Sequence, residues 1–266
     1  MEFNFNPVAF SIFGIEIRWY ALIIIAGMLL GTYFAKKEFV RRGFDEDFVY
    51  DVLFVIVPIG ILGARFWYVL FEWDYYSLNP IQILNIRAGG LAIHGGIIFG
   101  LLALYIYGKK KNLPFWDMAD VLIPSLVLGQ AIGRWGNFMN QEAHGGPTDL
   151  PWGIIIDGVK VHPTFLYESI GDMVIFLILI NWRKNNPDKG KISATYFIGY
   201  GILRFFVEGL RTDSLYIGSI RTAQLISIIF VIVGIIIFYI SDKNNLPPYF
   251  KEEKVVKKEE KIINFK

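Results

Sequence analysis

The sequence contains no cysteine, which excludes disulfides, thiolate metal sites and any cysteine nucleophile of the protein's own. It is also poor in charge. Only 19% of its 266 residues are charged against 54% hydrophobic, and the mean hydropathy is +0.45. That leaves too little polar surface to cover a water-soluble globule. Soluble enzymes, disordered chains and nucleic-acid readers are set aside, and a formal charge of +2 points to no polyanionic partner. Catalytic signatures are missing too. There is no G-x-S-x-G elbow, no Walker loop, no H-E-x-x-H, and no carboxylate cluster on one helix that would hold magnesium. If the protein is an enzyme, it works without an evident metal, cofactor or covalent nucleophile, and the nucleophile comes from a substrate. The chain also lacks an internal repeat, which weakens a transporter reading.

What the chain has instead is seven apolar stretches near the 20 residues needed to cross a hydrocarbon core. They run over Trp19 to Ala35, Phe48 to Phe71, Gly89 to Gly108, Trp116 to Gly133, Phe165 to Trp182, Ile192 to Gly209 and Thr222 to Ile240. A β-barrel would show alternating segments of about 10 residues instead of continuous apolar runs. The expected fold class is therefore an all-α polytopic membrane protein with seven transmembrane helices. Residues 19–240 form the membrane domain, with an outside loop at 135–163 and a charged cytoplasmic tail at 241–266. The leader, residues 1–18, carries Glu2 and no basic stretch, and no small-residue cleavage site follows the first span. It reads as an element in the membrane interface, not a signal peptide.

Loop charge sets the expected orientation. Lys36, Lys37, Arg41 and Arg42 follow the first span, Lys109 to Lys111 the third, and Arg183, Lys184, Lys189 and Lys191 the fifth. The tail after the seventh span adds seven more lysines, so most of the 26 basic residues fall on one side. The amino terminus is expected outside and the carboxyl terminus in the cytoplasm.

On that topology the polar residues within the spans gather near the outer surface. Charge in a bilayer costs at least about 2.5–3.5 kcal/mol, so such residues usually serve a purpose. Tyr20, Arg65, His94, Glu168, Asp172, Arg204 and Glu208 all fall in outer halves, and the inner half reads as nearly bare. In the sixth span Tyr196, Tyr200, Arg204 and Glu208 recur every four residues on one stripe. A purely structural Arg204–Glu208 pair explains that stripe as well as a functional one does. Arg65 is a possible partner for Glu168 or Glu208.

The densest segment is GQAIGRWGNFMNQEAHGGPT, Gly129 to Thr148. It closes the fourth span at Gly133 and opens the outside loop with Arg134, Asn137, Asn140, Glu142 and His144. An arginine fork beside amides suits a phosphate, and glycines let backbone N–H groups approach it. A tight loop capped by its own asparagines is the alternative. Downstream, WGIIIDGVKVHP reads as a hairpin turning at Asp157-Gly158, with His162 a loop residue. His94, before Gly95 and Gly96, is either a packed histidine between close helices or a general base.

These residues resemble a known family. Gly133-Arg134-Trp135-Gly136-Asn137-Phe138-Met139-Asn140-Gln141-Glu142 looks like the signature of the prolipoprotein diacylglyceryl transferases. Arg18-Trp19-Tyr20, His94-Gly95-Gly96, His162-Pro163-Thr164, Leu166-Tyr167-Glu168 and Tyr200-Gly201 with Arg204-Phe205 and Glu208 resemble its other motifs, in the family order. The resemblance covers the chain through the seventh span and excludes the lysine-rich tail. Some members carry glycine where this chain has Gln141, a point where the loop backbone can differ.

The resemblance implies transfer of a diacylglyceryl group from phosphatidylglycerol to the lipobox cysteine thiol of bacterial preprolipoproteins. A thioether forms and glycerol phosphate leaves, on the extracytoplasmic side of the plasma membrane. The attacking sulfur then belongs to the substrate, in keeping with a protein that has no cysteine. The reaction needs a thiolate from a thiol of pKa about 8.5. It also needs fixed donors for the charge building on the departing phosphate. Arg134 and Arg204 are expected to hold that phosphate, with Asn137 and Asn140 shaping its pocket and Gly145 in the phosphatidylglycerol-binding set. His94 is the expected base, and Tyr20 and Tyr200 are orienting hydroxyls. Glu142 and Glu208 orient the arginines or polarise the glycerol hydroxyl. The rivals are a small-solute transporter, a different lipid enzyme and a non-catalytic scaffold. A transporter predicts polar residues along the full depth, and a scaffold gives no reason to keep them at one level.

Overall fold

The computed structural model describes residues 6–86 and 89–243, so Arg87 and the lysine-rich tail after 243 lie outside the described residues. Eight α-helices dominate: α1 Trp19–Arg41, α2 Phe48–Phe71, α3 Trp73–Leu78, α4 Ile93–Lys110, α5 Phe115–Met139, α6 Thr164–Trp182, α7 Lys191–Leu210 and α8 Thr222–Lys243. Five are long and apolar enough to cross a membrane: α1, α2, α5, α8, and α6 with the turn that follows it. The third and sixth expected spans also form helices, α4 and α7, but these are not among the five. Lysines close α4, while Arg204 and Glu208 dilute the apolar run of α7. The helix of the third expected span, α4, begins at Ile93, not Gly89, because Gly89 and Gly90 hold φ of +89° and +76°, outside helical geometry.

The fold is mostly helical, as expected of an all-α membrane protein, and among the described residues three short two-stranded antiparallel hairpins lie before or between the helices: β1 Val8–Ile12 with β2 Ile15–Arg18, β3 Ile154–Ile156 with β4 Val159–Val161, and β5 Tyr216–Ile217 with β6 Ile220–Arg221. Each turns where φ is positive. Phe13-Gly14 and Asp157-Gly158 do so at both turn residues, the backbone that matches a two-residue hairpin's twist. The Asp157-Gly158 hairpin stands where the sequence placed it.

The chain divides into two compact units. The first comprises residues 1–35 and 119–266. Its core packs Val127 and Leu128 of α5 against Ile175, Phe176 and Leu179 of α6 and Ile192 and Tyr196 of α7. Glycines set the close approaches. A Cβ on Gly27 of α1 would lie 3.5 Å from Gly129, and one on Gly201 of α7 only 2.7 Å from the Ser227 carbonyl of α8. A second small cluster, Ile154, Val161 and Phe165, seats the β3–β4 hairpin on the start of α6.

The second unit, residues 36–118, is built on α2 and α4. Here glycine again permits contact: a Cβ on Gly95 would meet the Gly63 carbonyl at 2.3 Å. Between these helices run α3 and a 3-10 turn, Pro80–Leu84. Leu78, Ile81 and Leu84 of that stretch are all more than 80% exposed, an apolar face suited to lipid, not water.

Candidate active site

The site in the first unit is assembled around one carboxylate. Glu168, on the second turn of α6, is 1% exposed. Its Oε2 accepts from Nη1 of Arg204 at 2.8 Å, and its Oε1 accepts a short bond from Nη2 of Arg134. The Tyr200 hydroxyl donates to the same Oε1 at 3.4 Å. Arg204 turns its other amino group to Glu208 Oε2 at 2.7 Å, one helical turn further along α7. Two arginines from different helices are thus held a carboxylate's width apart. Their side chains remain 21% and 17% exposed, so neither arginine is fully enclosed. The cluster continues outward. Arg211 binds Asp213 through two bonds of 2.9 and 2.6 Å, and Arg221 donates to the carbonyls of Glu208 and Arg211.

Helix α5 supplies the Arg134 side. It runs to Met139, six residues past the expected end at Gly133, so Arg134 and Asn137 are helical, not loop residues. The glycines there do not stop the helix. A Cβ on Gly136 would lie 2.6 Å from the Tyr20 ring, and one on Gly133 3.2 Å from Ile24. They admit α1, and so Tyr20 packs directly on the signature helix. The turn that follows is tied to Glu142, whose Oε1 accepts from Asn137 Nδ2 at 2.9 Å and Asn140 Nδ2 at 3.3 Å. The asparagines therefore shape this turn through Glu142. Gln141 and Ala143 flank it at φ of +55° and +59°. This is the left-handed backbone that glycine adopts freely. Gly145 pairs with Arg211 in an isolated bridge. A Cβ there would lie 2.6 Å from that of His162, so no larger residue fits.

Other expected residues fall elsewhere. His94 is the second residue of α4, exposed on its first turn, and belongs to the second unit. Arg65, expected as a partner for Glu168 or Glu208, spends its hydrogen bonds instead on backbone carbonyls of its own unit, because the loop before α4 folds around it. His162 is a loop residue, its Nδ1 3.3 Å from the Tyr167 hydroxyl.

Three features went unread. Glu168 is the hub of the cluster rather than a partner for Arg65. Asp172, one turn along α6, is fully buried and neither of its oxygens has a hydrogen-bond partner. An acid pair at i and i+4 inside an apolar helix was the available signal. Asp120 is fully buried near the start of α5 and binds the amino end of α7, so buried charge is not confined to the end of the helices that carries Glu168. Among the described residues, no group of three or more His, Asp or Glu side chains could hold a metal ion.

Such a cluster can bind an anionic phosphate between two forks and stabilise charge arriving on it. Comparison with known proteins gives the family. A family model described as prolipoprotein diacylglyceryl transferase matches residues 7–240. A protein of Clostridioides difficile (strain 630) is 57% identical over 240 residues, covering 90% of this chain and 97% of its own length. One from Finegoldia magna is 57% identical over 233 residues, covering 87% and 94%. One from Clostridium novyi is 48% identical over 250 residues, covering 90% and 97%. All three are named phosphatidylglycerol–prolipoprotein diacylglyceryl transferase. With the match spanning the hairpin at the amino end through most of α8, this chain belongs to the prolipoprotein diacylglyceryl transferase family.

Proposed function

We propose that the protein transfers the diacylglyceryl group of phosphatidylglycerol to the lipobox cysteine thiol of preprolipoproteins. The thiolate sulfur forms a new S–C bond at the glycerol carbon, the C–O bond to phosphate breaks, and glycerol phosphate leaves with its electron pair. The observation that carries this reading is the Glu168-bridged pair Arg134 and Arg204, partly open on an otherwise buried cluster. Its charges nearly cancel, since Glu168 and Glu208 offset the two arginines. Phosphate is therefore held by the fixed direction of the forks, not by a net positive field, and Lys cannot replace that geometry. Glu208 and Glu168 orient Arg204, and Tyr200 steadies Glu168. Glu142, with Asn137, Asn140 and Gly145, shapes the phosphatidylglycerol-binding turn, and Tyr20 packs on the same helix.

The thiol proton passes to His94 as general base and from there to solvent. Seven helices cross the bacterial plasma membrane, with the amino terminus outside and the site on the extracytoplasmic side. The supporting observation is the placement of lysines and arginines in alternate loops.

The test supplies purified protein in detergent with phosphatidylglycerol and a synthetic peptide carrying a lipobox cysteine, and weighs the peptide. A diacylglyceryl-sized gain is expected. It should vanish with serine in place of that cysteine and fall at least about 100-fold in Arg204→Lys. Full activity of Arg204→Lys would remove the fork from the mechanism. His94→Gln with most of its activity and an unchanged pH profile would remove the histidine.

A further inference from the structure

Arg65 is an arginine buried within α2, 5% exposed, and its hydrogen bonds among the described residues go to backbone carbonyls, not to a carboxylate. A guanidinium has five N–H donors, and here all five are spent on five carbonyls of one connection. Nε donates to Ile83 at 2.8 Å, and Nη1 to Gly89 at 2.8 Å and Gly90 at 2.9 Å. Nη2 donates to Asn85 at 3.3 Å and, in a short bond, to Gln82. The Tyr76 ring covers the plane, its centroid 5.0 Å from Cζ. With no donor left over, Arg65 has nothing to offer a phosphate.

Its neighbours in α2 complete a pattern. The Ala64 carbonyl accepts from the Ala92 N–H at 3.0 Å. The Gly63 carbonyl is so close to Gly95 that a Cβ there would sit at 2.3 Å. Three consecutive residues of α2 therefore hold, in turn, Gly95, Ala92 and the connection that ends at Gly90. His94 lies inside that bracket, and the connection leads directly into its helix. Gly90 is pressed against the clamp from the other side, since a Cβ on it would lie 2.4 Å from Arg65 Nη1.

We infer that Arg65 is a positioning residue for His94. It gathers the α2–α4 connection by its carbonyls and sets the direction from which the imidazole enters on α4. The inference rests on the reading of His94 as the base. A lysine keeps the charge but brings three donors without the planar fork, so it cannot hold five carbonyls.

The experiment compares Arg65→Lys, Gly90→Ala and His94→Gln with the parent in the peptide transfer assay. Hydrogen exchange by mass spectrometry and detergent melting are followed in parallel. Gly90→Ala loosens the same clamp from the loop side, by crowding Nη1 at a positive φ, and leaves Arg65 in place. Both clamp variants are expected to lose at least ten-fold in kcat with KM for phosphatidylglycerol within two-fold. Faster exchange should be confined to residues 79–96. A raised KM at unchanged kcat in Arg65→Lys would make it a lipid contact and overturn the inference. So would parental kcat in Arg65→Lys, while leaving the reading of His94 intact. Global unfolding of both clamp variants would assign Arg65 to holding the unit together, and would overturn it as well. Parental kcat in His94→Gln would instead fail the underlying reading of the histidine.

Discussion

The α5–α7 pair buries a carboxylate at each end, and the two are treated oppositely. At one end Asp120 of α5 accepts from the backbone N–H groups of Gly190 at 2.7 Å and Ser193 at 2.9 Å, and from the Ser193 hydroxyl. These donors are neutral, and they are the otherwise unpaired groups of the first turn of α7. The carboxylate closes that helix end. At the other end Glu168 accepts from two arginines that stay partly exposed. Burial of charge is common to both. What separates them is the work: one carboxylate gathers backbone donors and holds a helix end, while the other bridges two partly exposed arginines from different helices, which leave binding capacity for a ligand. Arg65 extends the lesson to a cation, since five carbonyls exhaust it.

The sharpest way to break this contrast is Glu168→Ala. Two partly buried arginines would lose their shared, fully buried anion, and removing one partner of a buried pair costs up to about 3–5 kcal/mol. Detergent melting should drop steeply and transfer should vanish. Inorganic phosphate should restore more thermal stability to this variant than it adds to the parent, since it offers the forks a substitute. Equal shifts in the two proteins would mean that the arginines do not meet phosphate.

Asp120→Ala should be the mirror image. It strands two N–H groups and a hydroxyl at the start of α7, at about 1–3 kcal/mol for an unsatisfied buried group. Melting should fall by several degrees, whereas kcat of the folded fraction stays within two-fold of the parent. A loss of kcat matching that of an arginine variant would erase the distinction between the two ends.

Much of this was legible in advance, and the gaps have physical causes. Each of the seven apolar runs lies on a helix, and five of these are long and apolar enough to cross a membrane, because a run of about twenty apolar residues has few other uses. The four-residue spacing of Tyr196, Tyr200, Arg204 and Glu208 exposed the α7 stripe, and two of its members do form an ion pair. Pairing between helices leaves no such period, so the partners of Glu168 were not legible: the sequence suggested Arg65, and the fold brings Arg134 and Arg204 to it. Asp120 sits at the rim of an apolar run, where an acid reads as an interfacial residue. Gly133 and Gly136 read as the end of a helix, but their work is to let Ile24 and Tyr20 of α1 approach it.

A smaller effect tests the signature turn. Gln141 holds φ of +55°, which costs a non-glycine residue roughly 1 kcal/mol. Gln141→Gly should therefore raise melting by one to three degrees with transfer within two-fold, because Asn137, Asn140 and Glu142 keep their bonds. A lower melting temperature would show that the glutamine side chain contributes more than its backbone conformation costs.

The smallest effect lies at the rim, beyond the end of α7. Burial acts to raise the pKa of Asp213, but the hydrogen bonds and charge of Arg211 outweigh it and hold the carboxyl below its usual 3.8. A carboxyl depressed in the folded state stabilises that state above its unfolded pKa, and the contribution fades as pH falls through the folded value. Half of the Asp213 side chain is exposed, so solvent screening limits the pair to about 0.2–1 kcal/mol. Asp213→Asn should melt slightly below the parent at pH 7, and the gap should close below pH 3.8 as the parent's carboxylate takes up its proton. The same variant should leave Glu168 and its arginines undisturbed, with unchanged transfer. A gap that persists in acid would mean that the side chain acts through its amide-shaped contacts and not its charge. Lost transfer would instead place Arg211 within reach of the substrate, with Asp213 holding it there as Glu208 holds Arg204.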